Sequence, residues 1–71
     1  MGGSLHLGVV FEFDPGRGLG TVADDDGTGT WAFHCTQLVD GTRSVEVGRR
    51  VAFHVAAGHL GRMEALHVTK L

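Results

Sequence analysis

The sequence predicts an all-β fold of five short strands, and three observations carry that prediction. Runs rich in Val, Phe, Thr and Trp recur along the chain, each bounded by Gly, Pro or Asp-Gly. Val51, Phe53 and Val55 keep a period of two, the repeat of a strand with one face turned inward. No stretch shows the 3.6-residue apolar spacing of a helix, and no repeat or low-complexity tract breaks the pattern. At 71 residues the chain reads as one domain with a small core. Closing the sheet into a barrel would cover strand edges that so short a chain cannot otherwise protect.

Residues 7–13 read as the first strand, β-branched and aromatic through Val9-Val10-Phe11-Glu12-Phe13. Asp14-Pro15-Gly16 is a turn: Asp bonds its own backbone, Pro presets φ, and Gly tolerates positive φ. Residues 18–23 form the second strand, with Gly18 and Gly20 leaving its backbone open to close approach. Asp24-Asp25-Asp26-Gly27-Thr28-Gly29 is an acidic hairpin turn. Its adjacent carboxylates lack the alternating ligands and distal Glu of a calcium loop, so a solvated turn is expected and no metal. Residues 30–35 give the third strand, 36–44 a longer connection, 50–56 the fourth strand, 57–62 a turn and 63–69 the fifth. Val45 and Val47 extend the period-two series of the fourth strand and are expected on the same inward face. In the fifth strand Met63, Ala65 and His67 share one side, and Glu64, Leu66 and Val68 the other. Residues 1–6 are expected as a flexible lead-in, with Met1–Ser4 frayed.

The net charge of −2 conceals an asymmetry. Residues 1–40 set one Arg against six carboxylates, a balance of −5; residues 41–71 set five cations against two carboxylates, a balance of +3. A protein that tracks phosphates normally shows a basic footprint. One cysteine excludes an intramolecular disulfide and fits a reducing compartment. No run approaches the length of a membrane span and no signal-peptide pattern precedes the first strand, so a cytoplasmic protein is expected.

Arg17-Gly18-Leu19-Gly20-Thr21-Val22 is similar to the first ribonucleoprotein motif, a basic residue followed by alternating glycines and aromatics. Trp31-Ala32-Phe33-His34-Cys35 stands where the second such motif would lie. With the Asp-Gly turns and the closing stretch from Val47, these residues resemble bacterial cold-shock proteins from about Gly8 to Leu71. The resemblance implies a single cold-shock-like domain over residues 1–71. It also implies a five-stranded antiparallel OB-type barrel that binds single-stranded RNA or DNA by stacking bases on aromatic side chains, with no catalytic role and no cofactor.

Mapped onto this chain, the stacking surface has changed. Glu12 stands for the usual Trp, Leu19 and Thr21 for the two aromatics of the first motif, Ala32 and Cys35 for those of the second, and Thr42 for a loop aromatic. Phe13 and His34 are retained. A stacked base contributes ~1–3 kcal/mol, so losing several removes ~4–6 kcal/mol, about a thousandfold or more in affinity. The candidate nucleic-acid contacts are therefore Phe11, Phe13 and His34 for stacking, Leu19 and Thr21 beside them, and Arg17 and Arg43 for phosphates. Alternation places Phe11 and Phe13 on one face, which is either that platform or the core. Trp31 and Phe33 are expected inward, enlarging the core. Weak binding of single-stranded RNA or DNA is the first reading; the alternative is a protein-interaction module that has given up nucleic acid.

Other chemistry is excluded on spacing. His54 and His67 could meet across strands near His59, but no His/Cys pair has a zinc spacing. His34 and Cys35 have the types for a nucleophile and base, yet neighbours on a strand diverge.

Overall fold

The structure, a computed structural model, describes residues 5–27, 29–58 and 61–71. The expected fraying of Met1–Ser4, the turn positions Thr28 and Leu60, and the place of His59 beside the other histidines lie outside the described residues. Five strands form: β1 (Leu5–Asp14), β2 (Leu19–Asp24), β3 (Thr30–His34), β4 (Arg50–Ala57) and β5 (Met63–Lys70). They close into a barrel in the order β1-β2-β3-β5-β4. β1 begins at Leu5, so Leu5 and His6 pair with His54 and Phe53 of β4 instead of joining a loose lead-in. Cys35 leaves the third strand and starts a single 3₁₀ turn, Cys35–Gln37.

Four of the five strand pairings are antiparallel; β3 and β5 pair in parallel, with Ala32 opposite Glu64 and a further bridge from Leu38 to Val68. The expected antiparallel barrel is present but for this one seam, for a reason of parity. An odd number of strands cannot alternate direction at every seam of a closed ring, so at least one pair must run in parallel.

Two irregularities bend the sheet, as bulges do in small barrels. In β1, Val10 faces Val22 and Glu12 faces Thr21, so Phe11 is the extra residue. In β5, Ala52 faces Thr69 and His54 faces Leu66, which leaves Phe53 opposite both His67 and Val68. His67 has a φ of 52°, the left-handed region that a side chain other than glycine or asparagine rarely occupies. That one turned residue lets Ala65 and Val68, which simple alternation would put on opposite faces, both enter the core. The core is filled by Phe33 and Phe53 with Val10, Val22, Val51, Ala65 and Val68 around them.

Close strand approach needs a missing Cβ at one more place. A side chain at Gly8 would collide with the Ala23 carbonyl oxygen across the β1–β2 seam. Val45 is buried as expected, but Val47, expected on the same inward face, is 63 % exposed. Residues 45–49 form no strand; they turn at Gly48, whose φ is 92° and whose N–H bonds to the Val10 carbonyl, so the period of two does not extend to them.

The long connection is tied down at one point. Asp40 accepts from the Thr42 backbone N–H and hydroxyl at 3.0 and 2.7 Å and pairs with the Lys70 ammonium at 3.1 Å. Lys70 also donates to the Thr42 hydroxyl and the Ser44 carbonyl. The Thr42 hydrogen bonds first, then Lys70, pull the Asp40 carboxyl from its usual 3.8 down to about 2. A carboxylate depressed in the folded state stabilises it above the unfolded value, and the effect is lost as the pH falls through the folded value. Asp40→Asn should therefore lower stability near neutral pH. In urea titrations the gap to the parent should stay constant above about pH 5 and close as the pH drops from 3.8 towards 2.

The bulge gives a second expectation. Replacing His67 by Gly removes the cost of the left-handed conformation and should hold or raise stability by up to about 1 kcal/mol, whereas His67→Val should lower it by ~1–2 kcal/mol. Thermal melts of the two variants beside the parent check the sign.

Candidate nucleic-acid interface

The outward face of β1, β2 and β3 is built in two cross-strand rows. Pairing carries one row from Glu12 to Thr21, to Ala32 and on to Glu64 of β5. The second runs from Asp14 to Leu19 to His34. Between them, on the opposite face, Phe13, Gly20 and Phe33 form an inward row. The Phe33 ring occupies the space above Gly20, where a Cβ would lie within 2.6 Å of it. Phe13 then stacks on Phe33 with ring centroids 6.1 Å apart and planes 16° from parallel.

This corrects the expectation that Phe11 and Phe13 share a face. The bulge at Phe11 shifts the alternation by one residue, so Phe13 turns to the barrel end while Phe11 stays outside, 60 % exposed. Both rings still border one surface hollow, together with Glu12, Asp14, Leu19, Thr21, Ala32, His34, Val47 and Glu64. Of the sequence candidates, Phe11, Phe13, Leu19, Thr21 and His34 are brought together there. Arg17 and Arg43 are exposed but do not line it. Arg17 belongs to the β1–β2 turn at the rim, where Asp14 accepts from the Gly16 and Arg17 N–H groups as the turn chemistry requires.

His34 is set by the turn after it. Its Nδ1 accepts the Thr36 N–H at 3.2 Å and lies 2.9 Å from the Thr36 hydroxyl, so the neutral ring carries its proton on Nε2. Because Cys35 has left the strand, its buried thiol comes within 3.9 Å of His34 Nδ1, closer than divergence along a strand would allow. That nitrogen is engaged by Thr36.

The electrostatics of the hollow run against phosphate. Three carboxylates line it, and no Lys or Arg does. Three of the five cations of the second half of the chain are held elsewhere. Arg50 makes a two-pronged contact with Asp25 at 2.7 and 2.9 Å, which raises its pKa through hydrogen bonding and charge. Lys70 pairs with Asp40, and Arg49 lies 3.8 Å from Glu46. Among the described residues Arg17, Arg43 and Arg62 have no ion pair.

Glu64 and Val47 are lining residues that sequence reasoning missed, as are Asp14, which it read only as a turn residue, and Phe33, which it read as core. Glu64 reaches the hollow only through the parallel β3–β5 pairing, which has no local signature. Val47 gets there through the Gly48 turn.

A solved structure of the cold-shock segment of Drosophila Unr superposes on this barrel with a TM-score of 0.79 and 21 % identity. The fold is that of a cold-shock domain. The match covers 99 % of this chain and 28 % of that one, so the chain spans little more than a quarter of its structural neighbour. No family model and no curated protein matches the sequence. Of the positions that the resemblance assigns to stacking, Phe13 is in the inward row, Cys35 is buried in the 3₁₀ turn and Thr42 lies in the long connection, whereas Glu12, Leu19, Thr21, Ala32 and His34 fall in the two outward rows. Their place is kept while most of the aromatic rings are gone.

The remaining aromatic bulk lies inside or at the opposite end. Phe33 is 1 % exposed. Trp31 packs half-buried against the core, with His6 edge-on to it at 6.4 Å and its indole N–H out of contact with solvent. Asp24 holds His6 in turn, and His6 stacks on Phe53 at 5.5 Å. His54 and His67 do meet across strands, centroids 6.1 Å apart, and among the described residues no group of three metal-binding side chains forms. Because Trp31 does not border the hollow, its emission should lie to the blue of free tryptophan and stay unchanged on adding a saturating oligonucleotide. Fluorescence titration checks both.

Proposed function

We propose that this chain is a weak, non-catalytic binder of single-stranded RNA or DNA that uses the hollow over β1, β2 and β3. One observation supports this reading above the rest: Phe11, Phe13, Leu19 and His34 border one open concavity on the face that a cold-shock barrel offers to bases. A base laid there meets rings and apolar side chains, whose stacking tolerates any sequence. Phosphates would have to lie outside the carboxylate-lined floor, near Arg17 and Arg43 at most. With no more than two phosphate contacts, the logarithm of affinity should fall with the logarithm of salt at a slope no steeper than about −1.4.

A second reading rests on the same lining. Three carboxylates beside exposed Phe11, Leu19 and Val47 suit a partner that is apolar and cationic, as a basic segment of another protein would be. Recovery of a protein partner that survives nuclease treatment would favour this reading; recovery of RNA alone would favour the first.

The stacking role of Phe11 separates cleanly from stability, because its ring is mostly exposed and absent from the core. Phe11→Ala should weaken binding of a pyrimidine-rich oligonucleotide at low salt by ~1–2 kcal/mol and leave the melting transition almost unmoved. Phe13→Ala should lower stability as well, since it removes the ring stacked on Phe33. Absence of saturable binding by the parent up to millimolar oligonucleotide ends the nucleic-acid reading.

A further inference from the structure

We propose that Glu12 and Glu64 make this hollow selective for bases that carry an exocyclic amino group, with cytosine favoured over uracil. The inference rests on the nucleic-acid reading above and adds to it the class of base that is taken.

The placement is unusual for a surface meant for nucleic acid. Glu12 and Glu64 stand at the two ends of one row, with only Thr21 and Ala32 between them. Three strand spacings put their backbones roughly 14 Å apart, room for a flat heterocycle between two extended glutamate side chains. The middle of the row is open, because Ala32 has replaced bulk with a methyl group and Thr21 is short. Phe11 supplies a ring at the Glu12 end, and Leu19 and His34 border the row below. The Glu64 side chain lies over Gly58, where an added Cβ would meet it. Among the described residues neither glutamate has a hydrogen-bond or ion-pair partner, so each keeps its acceptor capacity for a ligand.

Chemistry then decides which base edge fits. An ionised carboxylate only accepts hydrogen bonds. Cytosine presents its N4 amino group and adenine its N6 amino group, both donors, and acidic side chains read the N4 amino group of cytosine directly. Uracil and thymine put a carbonyl oxygen at the same place and would set acceptor against acceptor. Uracil's one donor on this edge, its N3–H, lies between two carbonyl oxygens, so a carboxylate approaching it meets an acceptor on either side. The cytosine amino group, by contrast, has a hydrogen on its C5 side clear of any acceptor. In this row only the Thr21 hydroxyl can donate to the uracil carbonyls. The carboxylates that disfavour the phosphate chain thus become the polar groups that sort bases. Uncharged stacking surface alone gives only modest preferences among bases.

The test uses the full chain with octamers of cytidine and of uridine, which carry equal charge, at low salt, followed by shifts of the backbone amide signals in NMR titrations. The parent should bind the cytidine octamer on the order of tenfold more tightly than the uridine octamer, with the largest shifts at Glu12, Thr21, Ala32 and Glu64. Glutamine can both donate and accept, so E12Q and E64Q should each raise uridine binding and narrow the ratio, and the double variant should bring it close to one. Both glutamates are on the surface row, and unchanged melting curves for the variants exclude a folding effect. Equal affinity for the two octamers, or a uridine preference, overturns the proposal while leaving the nucleic-acid reading standing. A tenfold cytidine preference that persists in the double variant overturns the role of the glutamates. No saturable binding of either octamer removes the nucleic-acid reading and this inference with it.

Discussion

Curvature is the constraint on which the rest of this structure depends. Five strands of five to ten residues close on themselves within extents of 32, 26 and 19 Å. A flat sheet of that size would leave two edges bare and bury almost nothing. Closing it requires each strand to bend while its polar backbone stays paired. The chain meets that demand in three ways. Bulges at Phe11 and His67 take up the extra path length on the outside of the bend. Glycines at 8 and 20 let a neighbouring carbonyl or ring into space that a Cβ would fill. Phe33 and Phe53 then occupy the interior so formed.

The same constraint shapes the surface. A bulge changes the face on which every later side chain of its strand emerges. At Phe11 it leaves one ring outside and turns the next into the barrel end, where it stacks on Phe33. It also sets Glu12 outward beside Thr21. The parallel β3–β5 seam, which an odd ring cannot avoid, brings Glu64 to the far end of the same row. The outline of the hollow is therefore a result of barrel closure. Its chemical character comes from the few residues placed there.

Most of the architecture was legible in the sequence because it is written locally. Asp14-Pro15-Gly16 and the Asp-Gly pairs marked turns through the backbone conformations they favour, and the strands fall within two residues of where alternation and β-branching put them. Alternation separates Ala65 and Val68, so the bulge between them that carries both into the core has no local signature. The features that stayed hidden were non-local or depended on phase. The shift at Phe11 could not be read because nothing in Val9-Val10-Phe11-Glu12 distinguishes a bulged strand from a regular one. Val47 was misplaced because the chain turns at Gly48, and Arg49 stands where the valine series would need an apolar residue. Glu64 was missed because its neighbour in space, Ala32, is 32 residues earlier in the chain and joined to it by a single parallel pairing. The candidate site was thus visible as a set of positions and not as a face.

Charge placement acts on that face as well. The split between an acidic first half and a basic second half does not survive folding as two poles. Arg50 closes on Asp25 across 25 residues and Lys70 on Asp40 across 30, so the late cations neutralise early acids at the acidic turn and the long connection. Such exposed pairs contribute little stability each. Their larger effect is on the charges left over. They remove positive charge from the surface where a phosphate chain could use it and leave Glu12, Asp14 and Glu64 as the charged groups of the hollow. Attraction at long range is therefore weak or reversed for a polyanion, and whatever binds must gain its affinity at contact distance from ring, methyl and carboxylate. A barrel that holds its ligand in this way discriminates by the edges of the ligand more than by its charge.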